Sequence, residues 1–253
     1  MNIDLSGRIA VVTGAAGELG RTMARTLAEC GADVAVHYHT KEKKAREVAD
    51  SIVKMGRRAV IVKADVGRLA SVSAMRKAIA KSLGNPDIVV TNAVAQYPWK
   101  TIMDQAPEDY VSQFETCVMQ AVNVAKVFVP AMIVKRRGRI IAISTDCAMQ
   151  NFATQSAYVS GKRGMDGVYR VLAREVGAHG ITVNQVAPGW TVSDRARAEG
   201  SEKQPTYETN IPLKRRGTDA EIANMVAFLA SDLAGFTTGA YIPVCGGTVM
   251  PAI

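Results

Sequence analysis

Short apolar runs alternate along the chain with longer amphipathic stretches, and this alternation restricts the fold more than any other feature. Runs rich in β-branched residues predict seven strands, at residues 8–13, 34–37, 59–62, 88–91, 139–144, 182–186 and 241–244. The stretch 41–55 has helical periodicity, with Ala45, Val48, Ile52 and Met55 on one apolar stripe. Because apolar strands separated by helices belong to a parallel sheet covered on both faces, the chain predicts a doubly wound α/β fold with about seven strands.

The domain organisation follows from length and from uniform composition. A chain of 253 residues is long enough for one large domain or two small ones. No composition shift, repeat or low-complexity segment divides it, so we predict a single domain over residues 1–253. The longest irregular stretch, 193–217, is predicted to form a lid over a site. The apolar stretch 118–134 is interrupted by Gln120, Asn123, Lys126 and Pro130, which predicts a buried helix rather than a membrane span.

Cysteine usage and the N-terminal segment predict a cytoplasmic protein. The four cysteines are scattered without a C-x-x-C pair and the chain has three histidines, so we expect reduced thiols, with no disulfide and no metal site. Residues 1–14 lack a basic region followed by an apolar core, so no signal peptide is predicted. The net charge of +8 is spread along the chain. It favours a solvated surface first, an anionic substrate or cofactor second, and nucleic acid least.

A glycine-rich turn, T-G-A-A-G-E-L-G at 13–20, lies between the first predicted strand and a helical run. Glycines there allow a tight turn and a close approach of backbone amides to a pyrophosphate, whose charge the helix N-terminus favours. A plain tight turn is the alternative, but the place of the motif at the first strand–helix junction favours a dinucleotide site. The predicted cofactor-binding residues of this turn are Gly14, Gly17, Glu18, Leu19 and Gly20.

Tyr158 and Lys162 lie four residues apart in the segment Y-V-S-G-K. In a helix they would share one face. A nearby ammonium stabilises the phenolate and so lowers the pKa of a tyrosine, which suits a phenol to proton transfer with an alcohol or a ketone. Such a spacing also occurs on solvated helix surfaces, so its meaning depends on the surrounding motifs.

Further motifs occur in the order found in one known family. D-V at 65–66 follows the third predicted strand, T-N-A at 91–93 follows the fourth, N-x-V-x-P-G occupies 184–189, and I-P-L at 211–213 and G-G at 246–247 lie near the end. With the glycine-rich turn and the Tyr158–Lys162 pair, the chain resembles the short-chain dehydrogenase/reductase superfamily over nearly its whole length. It looks most like the 3-oxoacyl-carrier-protein reductase and glucose dehydrogenase branch. The resemblance implies a Rossmann domain.

The resemblance also implies roles for individual residues at a nicotinamide cofactor. Asp65 would meet the adenine through its side chain and Val66 through its backbone, although a capping role is the structural alternative for Asp65. Asn92, beside Ala93, would support the loop after the fourth strand near the adenosine ribose. The residues implied at the nicotinamide carboxamide are Pro188, Gly189 and Ser193, the last of which replaces the family's usual threonine.

The end of the second strand favours NADP(H) over NAD(H). An acidic residue there would bind the ribose diol and repel a 2′-phosphate. This chain instead has His39, Thr40 and Lys41, a hydroxyl and a cation with no acid in that place. The alternative is that Lys41 merely opens a solvated helix, and Gly17 occupies the place where many NADP-using relatives carry a basic residue.

In the family, the tyrosine is the general acid/base, the lysine lowers its pKa and holds the nicotinamide ribose, and a serine orients the substrate carbonyl. Thirteen residues before Tyr158 the chain has Thr145, to which we assign the serine's role; Ser144 should point away from the substrate because a strand alternates its faces. An asparagine that kinks the long helix and holds a water beside the lysine is replaced by Cys117, a weak donor and acceptor. Gln120 or Asn123 would substitute for it in part, or serve a structural or interface role.

Three more departures from the family pattern accompany Cys117. Glu18 lies where a second glycine usually meets the pyrophosphate, a carboxylate that is unfavourable there unless it turns outward. Val94 replaces a glycine near the cofactor. Cys245 replaces an aspartate and is expected to bear on assembly rather than on chemistry.

These observations predict an NADP(H)-preferring oxidoreductase that interconverts a ketone and a secondary alcohol by hydride transfer, with Tyr158 as general acid/base. The alternative is a cofactor-binding protein with little turnover, because the relay asparagine is missing. The substrate is a small carbonyl compound, with a 3-oxoacyl thioester on a carrier as one option that would suit the basic segment 135–139. Candidate pocket residues are Gln96, Tyr97, Trp99, 149–152, Trp190, the lid and Asp146. By resemblance we expect a homotetramer, with 249–253 and the 118–134 helix contributing, and neither nucleic acid nor a membrane as partner.

Overall fold

Seven parallel strands form one sheet in the order β3-β2-β1-β4-β5-β6-β7. The computed structural model describes residues 2–251, so Met1, Ala252 and Ile253, with the end of the predicted assembly segment 249–253, lie outside the described residues. The strands are β1 (Ile9–Val12), β2 (Asp33–Tyr38), β3 (Ala59–Lys63), β4 (Ile88–Thr91), β5 (Gly138–Ile143), β6 (Ile181–Pro188) and β7 (Tyr241–Val244). The predicted doubly wound Rossmann architecture is confirmed. The strand order reverses between β1 and β4, and ligands of such sheets bind outside the carboxyl ends at that point.

Helices cover both faces of the sheet. They are α1 (Glu18–Glu29), α2 (Glu42–Lys54), α3 (Leu69–Ser82), α4 (Pro107–Gln113), α5 (Gln120–Lys135), α6 (Cys147–Gln150), α7 (Ser156–Val176), α8 (Asp194–Ala198), α9 (Pro205–Glu208) and α10 (Asp219–Ala230). A π-helical turn, Phe114–Met119, joins α4 to α5, and 3₁₀ turns follow α7 and α10. Side chains of α1, α2 and α10 pack on one face in one apolar cluster, and those of α3, α5 and α7 on the other in a second.

The predicted stripe of the second helix is buried except at its end. Ala45, Val48 and Ile52 are at most 2 % exposed, whereas Met55 is 41 % exposed. Met55 lies just beyond α2 as its C-cap, where the helical periodicity no longer applies. The expectation for Met55 was therefore wrong.

The apolar stretch 118–134 belongs to a continuous helical segment, Pro107–Lys135, which is long and apolar enough to cross a membrane by length and composition alone. Half of its most apolar window is buried inside the protein. Phe128 and Met132 are at most 1 % exposed and belong to the cluster beneath α3 and α7. The segment is therefore packed as a helix of the protein core, as we predicted from the polar residues that interrupt it.

Candidate active site

The glycine-rich turn has the shape that a pyrophosphate requires. Gly14 has φ +64°, and a Cβ there would lie 3.0 Å from the Ala93 Cα. A Cβ on Gly20 would overlap the Gly14 carbonyl oxygen, so only glycine lets α1 approach the turn this closely. Gly17 is the N-cap of α1 and provides no side-chain cap, which leaves amides at the positive end of the helix for an anion. The residues present therefore fit a dinucleotide.

The loop after β4 is tied directly to the glycine-rich turn. Asn92 Nδ2 donates to the Thr13 carbonyl at 3.0 Å. The Thr13 hydroxyl accepts from the backbone amides of Asn92 at 2.8 Å and Ala93 at 3.0 Å. Asn92 thus supports the loop after β4, as the resemblance implies. Its position beside the adenosine ribose stays a prediction.

His37 is a residue of this edge that the sequence analysis missed. Its Nδ1 accepts from the Gly14 amide at 2.9 Å, and its Nε2 therefore carries the proton and donates to the Ala64 carbonyl at 3.0 Å. Burial lowers the pKa of His37 to about 4. The neutral imidazole holds the glycine-rich turn, β2 and the end of β3 in register, and only the tertiary contacts reveal it.

Asp65 makes a local turn contact and is not the helix N-cap that was its alternative role. Its Oδ1 accepts from the Gly67 amide at 3.0 Å, which caps the turn before α3, whereas the N-cap of α3 itself is Arg68. About half of the Asp65 side chain is exposed, so capping leaves it accessible to a ligand. The Val66 carbonyl accepts from Asn123 Nδ2 at 3.0 Å. Asn123 therefore has a structural role rather than a place in a proton relay.

The end of β2 contains an acid that the sequence analysis did not weigh. His39, Thr40 and Lys41 are exposed, as a phosphate site would require. Glu42 begins α2 directly after them, and its carboxylate accepts from Arg46 Nη2 at 2.8 Å. That hydrogen bond is the main cause that lowers the Glu42 pKa. Arg46 thus offsets the charge of Glu42, the acidic residue in the first turn of α2.

Helix α7 places Tyr158 and Lys162 together against the end of β5. Lys162 Nζ lies 5.7 Å from the centre of the Tyr158 ring and donates to the Ile143 carbonyl at 2.6 Å. The Tyr158 amide donates to the Tyr97 hydroxyl at 2.7 Å. The helical pairing inferred from the spacing is therefore present, and the ammonium is fixed by a backbone carbonyl.

The pKa values in this pair differ from the expectation. Burial raises the Tyr158 pKa above its ordinary value, with the Thr145 hydroxyl acting in the opposite direction, and burial lowers the pKa of Lys162. The expected lowering of the tyrosine pKa is absent from the protein alone because desolvation outweighs the hydrogen bond with the Thr145 hydroxyl. Each group is thereby shifted towards its uncharged form.

Thr145 and Ser144 follow the end of β5 and both line the cleft, so the expectation that Ser144 points away from the substrate stays a prediction. The Ser144 hydroxyl donates to the Tyr241 hydroxyl at 3.2 Å. The Thr145 hydroxyl lies on the side of Tyr158 and accepts from the Cys147 amide at 3.2 Å. Thr145 is thus the hydroxyl that faces the phenol.

A π-helical turn interrupts the long helix at Phe114–Met119 although Cys117 replaces the asparagine. The Gln120 amide bonds to the Glu115 carbonyl, five residues back, and Gln120 Nε2 donates to the Thr116 carbonyl that the amide leaves free. The side chain inserted into the backbone ladder accounts for the π-helical turn. Cys117 is 1 % exposed, and burial raises the pKa of its thiol.

Gln120 is fully engaged and is not a substitute relay. Its Oε1 accepts from the Thr13 hydroxyl at 2.7 Å, and its Nε2 also donates to the Ala93 carbonyl at 2.9 Å. The side chain therefore joins the bent helix to both loops of the cofactor edge. Gln120 thus has the structural role that was the alternative to a relay, because both ends of its carboxamide are engaged by Thr13, Ala93 and Thr116.

A cleft of about 610 Å³ lies at this edge of the sheet. Nine predicted site residues line it: Glu18, Leu19, Asn92, Thr145, Tyr158, Lys162, Pro188, Gly189 and Ser193. The others lie outside it, along the carboxyl ends of β1 to β4: Gly14, Gly17, Gly20, His39, Thr40, Asp65, Val66 and Ala93. Of the predicted pocket residues, the structure brings Gln96, Tyr97, Trp99, Asp146, Phe152 and Trp190 to its wall.

The departures from the family pattern lie around this cleft. Glu18 is exposed at the first position of α1, and Val94 is half-buried in the cleft wall. Cys245 is 7 % exposed, and a Cβ on Gly189 would lie 3.0 Å from its Cα. Cys245 thus packs against the loop that carries Gly189. This position is nearer to the site than we expected for a residue with a role in assembly.

The segment 193–217 contains α8 and α9 and contributes Ser193, Asp194, Arg197 and Tyr207 to the cleft wall. The Ser193 hydroxyl accepts from the Ala196 amide at 3.1 Å, so it caps α8. Arg216, 5 % exposed, donates to the Thr191 carbonyl at 2.7 Å and stacks on Trp190. These contacts fix the base of the segment beside the cleft.

The basic segment 135–139 is engaged by partners within the protein. Lys135 and Arg137 both bond to Asp87 Oδ1, at 3.2 and 3.0 Å. Arg139 is 7 % exposed and pairs with Asp232 at 3.0 Å. Lys135, Arg137 and Arg139 thus pair with carboxylates of this chain, while Arg136 bonds the Ala178 carbonyl, so the segment gives little support to the docking of an anionic carrier.

Comparison with known proteins identifies the class that this fold and cleft define. The family model described as enoyl-(acyl carrier protein) reductase matches residues 14–249. The chain belongs to the short-chain dehydrogenase/reductase superfamily, in the branch of the 3-oxoacyl-carrier-protein reductases and glucose dehydrogenases. It is accordingly an NAD(P)H-dependent oxidoreductase.

Particular relatives agree with this placement. The chain is 37 % identical over 241 residues to the 3-oxoacyl-[acyl-carrier-protein] reductase FabG of Staphylococcus aureus, covering 95 % of this chain and 98 % of that one. It is 36 % identical to FabG of Escherichia coli, covering 98 % and 100 %. A gluconate 5-dehydrogenase of Burkholderia cenocepacia, solved with NADP and tartrate, superposes with a TM-score of 0.89 at 27 % identity, covering 98 % and 97 %. A mutant short-chain dehydrogenase/reductase of Serratia marcescens gives 0.86 at 28 % identity, covering 96 % and 98 %.

Proposed function

We propose that the protein is an NADP(H)-preferring reductase that interconverts a ketone and a secondary alcohol, with Tyr158 as general acid/base. The observation that carries the proposal is the meeting of three groups at one cleft wall: the Tyr158 phenol, the Thr145 hydroxyl and the fixed ammonium of Lys162. The glycine-rich turn at the other end of the same edge fits the dinucleotide.

The residues of this chain divide the proton chemistry among them. When bound, the nicotinamide cofactor supplies or accepts the hydride. In reduction, the Tyr158 hydroxyl donates its proton to the carbonyl oxygen, and the Thr145 hydroxyl donates a hydrogen bond to the same oxygen. Lys162 stabilises the phenolate that remains, because its ammonium lies over the ring. In oxidation, Tyr158 takes the proton back.

The preference for NADP(H) is supported by the end of β2. His39 and Lys41 are exposed there, and the neighbouring Glu42 is paired with Arg46. The Burkholderia cenocepacia relative was solved with NADP. We place Asp65, Val66, Pro188, Gly189 and Ser193 at the cofactor on the strength of the family alone.

The relatives suggest two classes of substrate. FabG acts, by name, on 3-oxoacyl groups of a carrier protein, and the structural relative acts on gluconate. The segment 193–217 is proposed as the lid that covers a substrate of either class. We further propose a homotetramer located in the cytoplasm, where the free cysteines of the chain would stay reduced.

A second candidate function is a cofactor-binding protein with little turnover. Cys117 favours it: the thiol is buried, its pKa is raised, and it cannot hold a water beside Lys162 as an amide would. The two candidates agree on cofactor binding and differ only in turnover.

Oxidation of NADPH by a panel of ketones and 3-oxoacyl thioesters tests the proposal. We expect turnover in the wild type and a fall of ~10²–10⁴-fold in kcat/KM for Tyr158→Phe. Tyr110→Phe removes a phenol outside the cleft and should retain the wild-type rate. NADPH binding without turnover by any compound, unaltered in Tyr158→Phe, would establish the second candidate instead.

A further inference from the structure

The loop that follows β4 contacts Tyr158 at two points. The Tyr97 hydroxyl accepts from the Tyr158 amide at 2.7 Å. The Trp99 ring stacks on the Tyr158 ring, with 6.1 Å between the ring centres. Tyr158 is the third residue of α7, where an amide has no acceptor within the helix, so Tyr97 supplies the acceptor that the backbone lacks. The position of the phenol therefore depends on this loop.

The loop is held in turn through both backbone groups of Ala95. Gln113 Nε2 donates to the Ala95 carbonyl at 2.9 Å, and the Ala95 amide donates to the Thr116 hydroxyl at 3.2 Å. The Thr116 hydroxyl donates its own proton to the Ser112 carbonyl at 2.7 Å, which leaves its oxygen to accept from Ala95. We call Gln113 and Thr116 the loop clamp.

Gln113 is itself fixed against α7. It is the last residue of α4 and is 0 % exposed. A Cβ on Gly161 would lie 2.9 Å from the Gln113 carbonyl oxygen, so only glycine lets α4 approach α7 this closely. Gln113 Oε1 has no hydrogen-bond partner among residues 2–251, so the Ala95 carbonyl is the polar group that sets the orientation of this carboxamide. Helix α7 thus contacts the clamp at Gly161 and the clamped loop at Tyr158.

The clamp lies behind the cleft rather than in it. Ala95 and Tyr97 belong to the cleft wall, whereas Gln113 and Thr116 lie outside the wall that the described residues form. The glycine-rich turn is held by separate contacts, which involve Gln120. A change in the clamp therefore releases the loop while the groups that line the cleft are kept.

We propose that Gln113 and Thr116 are positioning residues for Tyr158. The clamp holds the loop, and the loop fixes the Tyr158 amide through Tyr97 and its ring through Trp99. The proposal rests on the proposed function, in which Tyr158 is the general acid/base. A displacement of about 1 Å at a reacting group can reduce the rate ~10²-fold, so the clamp acts on turnover without contacting the reacting atoms.

Turnover of the best ketone or thioester of the panel tests this effect. Gln113→Met removes the donor at similar length, and Thr116→Val removes the hydroxyl at similar shape. We expect kcat to fall by ~10–100-fold in each variant, with unchanged affinity for NADPH in a fluorescence titration. Thr116→Ser retains the hydroxyl and should recover most of the loss. Thr26→Val, half-buried on α1, is the matched control and should retain the wild-type kcat.

A double-mutant cycle tests the route from the clamp to the phenol. Tyr97→Phe removes the acceptor of the Tyr158 amide, which is the same connection that the clamp supports. The loss in kcat for Gln113→Met combined with Tyr97→Phe should therefore be no larger than the greater of the two single losses. Losses that multiply would show that Gln113 acts by another route and would overturn the proposal.

Hydrogen exchange of the Tyr158 amide tests the clamp without turnover, in protein labelled with ¹⁵N-tyrosine. Gln113→Met and Thr116→Val should make this amide exchange ~10-fold faster, the factor of about one hydrogen bond, and Tyr97→Phe provides the reference. Unaltered exchange in both clamp variants would reject the clamp. Faster exchange with an unaltered kcat would leave it a purely structural role and reject the positioning of Tyr158. Faster exchange in a protein that reduces no compound of the panel would support the clamp while the proposed function fails.

Discussion

At the residue scale, His37 joins three segments of the chain through two ring nitrogens. Burial disfavours the imidazolium and lowers the His37 pKa to about 4 from an ordinary 6.5. Protonation of Nδ1 would also remove the acceptor of the Gly14 amide. The unfolded chain takes up this proton at the higher pH. Stability from neutral His37 is therefore fully present above pH ~6.5 and is lost as the pH falls towards 4.

His37→Asn should flatten this pH dependence. In the wild type the linkage corresponds to a loss of about 3 kcal/mol in the free energy of unfolding between pH ~6.5 and 4. A carboxamide stays neutral, so the variant should be less stable near neutrality but less sensitive to acid over this range. Urea unfolding at several pH values measures both. His39→Asn, an exposed neighbour, should keep the wild-type slope; equal slopes for all three proteins would contradict the account.

At the element scale, one side chain joins the π-helical turn between α4 and α5 to both loops of the cofactor edge. Gln120 supplies a side-chain donor to the Thr116 carbonyl while its own amide moves to Glu115. The same side chain bonds Thr13 and Ala93, so the course of the helix and the two cofactor loops depend on one carboxamide.

Gln120→Met should straighten this helix, because methionine has similar length but no strong donor or acceptor. We expect a loss of ~1–3 kcal/mol in stability, from unpaired Thr13 and Ala93 groups, and a fall in kcat as Cys117 shifts relative to Lys162. Lys126→Met, on the exposed face of α5, should leave both unchanged. A crystal structure of Gln120→Met that retains the π-helical turn would exclude this origin of the bend.

At the scale of the whole molecule, the sequence predicted the architecture far better than the contacts within the site. Strands such as Ile88–Thr91 were predictable because they are short runs of β-branched, mostly apolar residues and local in sequence. The pairing of Lys135 with Asp87 joins residues 48 positions apart, and no local pattern reports it. The contacts of His37 and Gln120, and the raised pKa of Tyr158, likewise arise from burial among distant segments.

Assembly is a further property of the whole molecule, and exposed apolar side chains on the helices are candidates for the contacts between subunits. Val171 on α7 and Val53 on α2 are both 56 % exposed in the single chain. If the proposed tetramer forms through the long helices, Val171→Glu should dissociate it, because a carboxylate would be buried without a partner. Val53→Glu, equally exposed on a different helix, should not. Analytical ultracentrifugation measures both; a monomeric wild type would refute the proposal.

The contact of the Gln120 side chain with the π-helical turn has an evolutionary consequence. Because Gln120 supplies the donor to the Thr116 carbonyl at this turn, residue 117 is not required for that contact and can change while the contact is kept. A lineage could thus exchange amide for thiol at residue 117, and with it the supply of protons to Lys162, while the inherited scaffold stays intact. Activity in such a family would vary among descendants independently of their shared architecture, and the identity of one buried side chain would distinguish fast members from slow ones.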